Sequence, residues 1–308
     1  MSVEWLIPAM LTIVTAATPL VFAAVGETVV EKAGVLNLGV EGMMIIGAIA
    51  AFAMAVTTGS EVLAIFSGAI AGMLMAFIFG VLCVYLQSNQ VATGLALTIF
   101  GIGLSALIGH SYVGNTFVGL AKLDIPGISD IPIVGPLVFG HDALVYFSIL
   151  SVASVAWFLK KTRGGLLVRA VGENHDAAHA IGYSVTLIRM GAILFGGAMA
   201  GIGGAYLSIA YTPLWVENMT AGRGWIALAL VVFASWKPWR AFFGAYLFGG
   251  ITIIQLYAQG MGVEVSAQFL SMLPYLATIL VLVIISRDSA KSLLNAPACL
   301  GKNYHSSG

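Results

Sequence analysis

An all-α, polytopic bundle of transmembrane helices is the fold class this sequence predicts, on two observations. Hydrophobic residues make up 60% of the 308 and charged residues 8%, whereas a soluble domain carries about a quarter charged residues. The apolar residues also gather into runs close to the roughly 20 residues that cross a hydrocarbon core.

About nine such runs (eight to ten) follow one another: 5–25, 41–57, 62–87, 91–109, 143–159, 190–212, 225–235, 241–258 and 271–286. The seventh is short and reads as a broken or tilted helix. The first lacks the basic leader of a signal peptide, since Glu4 is the only charge before it, and its apolar run is too long for a signal core. It is expected to be retained. The runs make one membrane domain over 1–286, followed by a polar tail over 287–308.

Two long polar segments, 110–142 and 160–189, are separated by one helix and therefore fall on opposite faces. The second holds Lys160, Lys161, Arg163, Arg169 and Arg189; the first holds only Lys122. Cytoplasmic loops are enriched in Lys and Arg, which places 160–189 inside. Carrying the count along the chain puts Lys32, Lys237, Arg240, Arg287, Lys291 and Lys302 inside too, and leaves Lys122 and Arg223 outside. The N-terminus is then outside and the C-terminus inside.

Enzyme chemistry finds no footing. The chain has no HExxH, CxxC or GxSxG, and no G-x-x-x-x-G-K-[ST] phosphate loop, so it is not expected to hydrolyse nucleotide itself. Cys83 and Cys299 make no disulfide framework. There is no basic tract suited to nucleic acid. His175 and His179 stand one helical turn apart and read as an exposed helix face rather than a metal pair. No metal ligand set is expected.

Glycine, at 37 residues, clusters within the runs, most densely over 191–204. Small residues let membrane helices approach closely. A faint inverted repeat at an offset of 133 residues pairs Leu95-Ala96-Leu97 and Phe100 with Leu228-Ala229-Leu230 and Phe233. Inverted repeats recur in transporters, with the solute site at the repeat interface.

Two segments rise above composition. Residues 27–44, ETVVEKAGVLNLGVEGMM, set Glu27, Glu31, Lys32, Asn37 and Glu41 between two membrane runs, interleaved with glycines. Two readings stand: an unwound lead-in to the second helix beside a cavity, or a short cytoplasmic turn with a Glu31–Lys32 surface pair and Asn37 as a cap. In 163–189, Asn174 or Asp176 is expected to cap a short helix over 177–181, and Gly182 to stop it. That helix is a docking peg for a soluble partner or a solvated connector.

The same two segments carry a resemblance. The chain resembles the inner-membrane permeases of ATP-driven (ABC) importers, in the branch of branched-chain amino acid and ribose-type permeases, and is most similar to the nucleoside (simple sugar) type. Residues 31–44 match G-E-R-x-G-x-x-N-L-G-x-E-G-M-M from its glutamate onward, with Lys32 in place of Arg. Arg169, Ala170, Val171, Gly172, Glu173, Asn174, Ala177, Ala178 and Gly182 match R-A-V-G-E-N-P-x-A-A-x-x-x-G, with His175 in place of Pro. Residues 221–229 are similar to G-R-G-[FW]-I-A-L-A. This implies a subunit of the bacterial cytoplasmic (inner) membrane that imports a small polar solute, most of all a nucleoside. A sugar or a branched-chain amino acid is the alternative, and an ion-gradient-driven secondary transporter is the alternative from another class. The partners implied are ATP-binding cassette ATPase subunits that hold the ATP and Mg, a second permease chain (the same or a related one) and an extracytoplasmic solute-binding protein. The resemblance implies a fold of about ten helices, of which this chain is expected to lack the first. ATPase coupling is expected from Arg169, Gly172, Glu173, Asn174, Asp176, Ala177, Ala178 and Gly182. Asn37, Glu41, Asn89, Gln90, Thr93 and Gln255 are the candidates for a translocation path between two chains, each weighed against an interhelical hydrogen bond worth about 0.6 kcal/mol. Tyr206, Tyr211, Trp215 and Trp225 are expected to anchor the outer interface.

Overall fold

The computed structural model describes residues 6–123, 134–260, 266–286 and 295–305. Among them there are twelve α-helices and no strand: α1 (Leu6–Lys32), α2 (Val40–Thr58), α3 (Glu61–Gly80), α4 (Gln90–Gly109), α5 (Val134–Phe139), α6 (Ala143–Lys161), α7 (Arg163–Glu173), α8 (His175–Ala180), α9 (Val185–Tyr206), α10 (Arg223–Phe233), α11 (Pro238–Gly260) and α12 (Ala267–Ser286). Every apolar run falls on a helix, and seven of the described helices are long and apolar enough to cross a membrane. At 11 residues, α10 is not.

Local chemistry sets the helix starts. Ser60, Asn89, Asp142, Thr162, Asn174 and Ser184 each accept a hydrogen bond from a backbone N–H two or three residues ahead, satisfying one of the free donors of a first turn. Asn174 is thus the cap of α8. Gly182, at φ +92°, ends that segment in the left-handed region that favours glycine.

α9 is the central post, with α1, α2 and α3 packed along it. Glycines make the approach possible: a Cβ on Gly47 would lie 2.5 Å from the Cα of Gly201, and one on Gly101 2.8 Å from the Cα of Gly42. Apolar burial does not drive helices together in lipid, so close backbone packing must. The outer faces of α3 and α4 present Phe66, Leu74, Phe77, Ile99 and Leu107, side chains suited to hydrocarbon.

Several boundaries shift by a few residues, α8 spanning His175–Ala180 and α12 starting at Ala267, and two of the shifts have a clear cause. The first helix runs on from Val25 to Lys32, because Glu27 and Glu31 face protein at 1% and 0% exposure rather than lipid or water. The sixth begins at Val185, which takes Arg189 into its first turns, 2% exposed.

Charges divide between the ends much as counted. Lys32 lies near Arg169, Glu173 and Lys237, and Arg189 bonds the carbonyl of Lys302; this is the basic end. Lys122 lines a hollow at the opposite end with His141 and Asp142. Arg287 and Lys291 lie outside the described residues. Arg223 is the exception taken up below. α4 starts at the basic end, where Gln90 meets Asn303, and α10 finishes there, where Trp236 meets Glu31. The two repeat copies therefore run in opposite senses, although α4 has 20 residues and α10 only 11.

Gly47→Val should cost about 1–3 kcal/mol by overpacking. Gly191→Ala meets open space and should be neutral or up to ~1 kcal/mol stabilising. Thermal unfolding of the purified protein in detergent, followed by tryptophan fluorescence, separates the two.

Candidate functional site

The connection from α1 to α2 does not stay at the surface. Its backbone is non-helical over 34–39, yet Val35, Asn37 and Gly39 are buried. The amide of Asn37 donates to Glu27 Oε1 (3.4 Å), and that of Leu36 to Gln90 Oε1 (2.8 Å). The hydroxyl of Thr98 and the indole of Trp225 both donate to the carbonyl of Leu38 (3.1 and 3.3 Å). Thr98 lies eight residues into α4, about 12 Å along its axis. The segment is an unwound lead-in at membrane depth, tolerated because protein groups take up its backbone bonds.

Glu41 stands where this lead-in becomes α2. It is 1% exposed, and its carboxylate accepts from the amide of Gly222 (Oε1, 2.7 Å) and that of Gly224 (Oε2, 2.6 Å). These are free donors at the start of α10, where the helix dipole favours an anion. No side chain fits between: a Cβ on Gly224 would lie 2.6 Å from the Cα of Glu41. Glu41 therefore pins the N-terminus of a half-length helix inside the bundle.

That position corrects the charge count for Arg223. It lies beside Ala16 and Leu20 in the middle of α1, at half depth rather than outside. Its Nη1 donates to the carbonyls of Met219 (3.0 Å) and Thr220 (3.2 Å), and the guanidinium stacks 5.7 Å from the ring of Tyr211. Thr252, Gln255 and Tyr275 complete a hollow of about 240 Å³. A larger one, about 660 Å³, lies against α6, α7 and α9. Its walls, including Phe147, Leu150, Trp157 and Phe195, are nearly all apolar, so it offers little to recognise a polar solute.

The other path candidates have local duties. Asn37 Oδ1 accepts from the amide of Gly39. Asn89 is exposed and caps α4. Thr93 exchanges a hydrogen bond with Ser88. Gln90 holds Leu36 and Asn303. Of the six, Gln255 alone lines the hollow. Two of the four expected interface aromatics are interior: Tyr206 is fully buried and bonds Asp142 (3.0 Å), and Trp215, 3% exposed, packs on Gly109. Sequence reasoning passed over Arg223 as a surface charge, although its place beside two glycines at the head of a short apolar run was a usable signal.

At the basic end, α7 and α8 form a knob. Arg169, Glu173, Asn174, Asp176, Ala177 and Gly182 are exposed, whereas Gly172 and Ala178 are buried. Gly172 packs on the carbonyl of Lys32, and Ala178 packs with Val171 and Val185. The tail, expected as a separate segment, is a strap here. The carbonyl of Asn295 accepts from Lys32 Nζ (2.6 Å), the amide of Cys299 donates to Gly172 (2.9 Å), and Asn303 Nδ2 donates to the carbonyl of Gln87 (2.6 Å). The Tyr304 ring lies 5.4 Å from His175 and 5.7 Å from His179, so the histidine pair supports the strap; His179 is exposed, as expected of this helix face, whereas His175 is partly buried. Arg189 Nη2 donates to His175 Nδ1 (3.3 Å), which requires the neutral Nε2–H ring. Burial, and next the Arg189 charge, hold the His175 pKa below its ordinary value. Burial does the same at His141.

The chain matches the model of the family described as "Branched-chain amino acid transport system / permease component" over residues 9–285. It belongs to that family. It is 39% identical to a Haloferax volcanii protein provisionally named a glucose ABC transporter permease, over 95% of each chain. It is 33% identical to the nucleoside ABC transporter permease of Lactococcus lactis over 93% of each. A guanosine ABC transporter permease of Bacillus subtilis is 31% identical over 93% of this chain and 94% of its own. Each of these three organisms has a second, more distant relative named for the same solute, at 29%, 25% and 25% identity, covering 61–79% of this chain and 53–70% of their own. No solved structure matches. The chain is thus the permease component of an ABC transporter, in which ATP hydrolysis lies on a separate subunit.

Glu41→Gln should loosen the head of α10, since a hydrogen bond to a charged group is worth about 1.5–3 kcal/mol. A cysteine placed at Thr220 should then react with a membrane-permeant maleimide about tenfold faster or more. His175 gives a pH effect: a base whose pKa is lowered by folding loses stabilisation as pH falls below its unfolded value near 6.5. Amide exchange of residues 299–304, corrected for the intrinsic rate, should rise between pH 7 and pH 5, and His175→Gln should flatten that rise.

Proposed function

We propose that this chain forms half of the membrane pore of an ATP-driven importer for a nucleoside or a sugar, lying in the cytoplasmic membrane with its basic end inside. The observation that carries the reading is the knob: a capped, glycine-stopped helix, exposed on one side and strapped to the α1–α2 and α3–α4 connections on the other. A motor subunit that grips Glu173, Asn174, Asp176 and Ala177 moves the α1–α2 lead-in and the start of α4 with it, because Gly172, Arg189 and residues 295–305 join them. The chain needs no chemistry of its own, only two packings of unequal stability in the two nucleotide states.

The paired relatives favour a second, related permease chain as partner. An extracytoplasmic binding protein would deliver the solute to the end carrying Lys122. For the solute, the nucleoside and guanosine relatives support a nucleoside; the relative at 39% identity supports glucose. An ion-driven carrier is disfavoured because Glu41 is engaged by backbone donors.

Cells expressing the chain with its neighbouring transporter genes should take up labelled guanosine or glucose, and ATP depletion should abolish uptake while a protonophore in ATP-clamped vesicles does not. Glu173→Lys with Gly182→Trp should cut uptake at least tenfold and weaken recovery of the ATPase with the permease. Unchanged uptake in that double variant refutes the docking assignment.

A further inference from the structure

We propose that the hollow at Arg223 and Gln255 is the solute's binding site at half depth, and that it takes a neutral, polyhydroxylated ring. This rests on the permease reading above and names the residues and the ligand class.

A charged side chain near the bilayer centre costs a few kcal/mol even on the mildest scale, and such residues mark functional paths. Arg223 stands there without a carboxylate partner among the described residues. Two backbone carbonyls take its Nη1 and Tyr211 its face; among the described residues nothing takes Nε or Nη2. Both oxygens of Glu41, which meets the same helix head, are engaged by Gly222 and Gly224.

Gln255 makes a second, independent case. It is 8% exposed, lines the same hollow, and has no hydrogen-bond partner among the described residues. Its amide opens into the hollow with its donors and its acceptor free among the described residues, so a ligand there can engage both. The Thr252 hydroxyl gives its proton to the carbonyl of Phe248 (2.9 Å), so toward the hollow it is an acceptor. The site thus offers forked donors from Arg223, a donor and acceptor from Gln255 and an acceptor from Thr252. Tyr211 and Leu20 supply flat or apolar walls.

That set matches neighbouring hydroxyls on a ring, each of which both donates and accepts. It does not match an amino acid, whose ammonium would meet the Arg223 charge and find no carboxylate. The volume, about 240 Å³, equals that of about eight liquid waters, enough for one small ring. Nucleosides and hexoses share this chemistry.

The test uses the whole transporter in cells, with labelled guanosine and glucose as probes. Arg223→Gln should raise the KM for uptake about tenfold or more, as expected where a buried polar partner is removed, with membrane level and ATPase recovery unchanged. Gln255→Leu should raise it several-fold. Arg223→Lys should rescue only in part, because a point charge cannot fork. In the purified chain, a cysteine at Thr252 should be shielded from maleimide by whichever probe is transported, and shielding should vanish with Arg223→Gln. Unchanged KM in both variants, or no shielding, overturns the site. Stronger competition by leucine or by glucose 6-phosphate overturns the neutral class. Absence of ATP-dependent uptake in the wild type overturns the permease reading itself, while shielding still reports on the site.

Discussion

One carboxylate joins the two irregular parts of this membrane bundle. Glu41 closes the unwound lead-in of α2 on one side and holds the first amides of α10 on the other. Backbone that leaves helical geometry at membrane depth must find partners within the protein. Residues 34–39 find them in Gln90, Thr98, Trp225 and Glu27, and the head of α10 finds them in Glu41. Remove that anchor and the first amides of α10 lose their partner, leaving the Trp225–Leu38 bond and the Arg223–Tyr211 contact to hold the helix head inside the bundle. Arg223 and the hollow are where they are because of it.

The molecule separates force from recognition. At the basic end the knob, the strap and the α1–α2 connection form one hydrogen-bonded unit through Gly172, Arg189, Cys299 and Asn303. About half a membrane away, the hollow is lined by α1, α10 and α11. The lead-in touches both: its start lies under the strap and its finish is Glu41. In the proposed transport cycle a push on α8 thus has a short, stiff route to the residues beside Arg223, with glycine-lined helix contacts as the surfaces along which packing changes.

Much of this was legible from spacing and type. The apolar runs located every long helix, since lipid leaves little choice but helix for a long apolar stretch. Asn174 and Gly182 announced the limits of α8 because caps and left-handed stops act locally. Asn37 and Glu41 were singled out as polar groups among glycines, and both are structural centres. Asn89 and Thr93, expected along a path, are each hydrogen-bonded to neighbours a few residues away, and nothing in a sequence distinguishes a cap from a pore lining.

Sequence by itself determined the membrane class, the helix order, the basic face and the family, because each depends on composition or on contacts within a few residues. The tertiary structure decided where polar groups come to rest in depth. Arg223 was counted outside because a chain read linearly places every charge at a loop; only packing against α1 and Glu41 carries it to half depth. The tail became a strap for the same reason: its partners, Lys32, Gly172, Arg189 and Gln87, are far away along the chain, and long-range hydrogen bonds leave no local pattern to read.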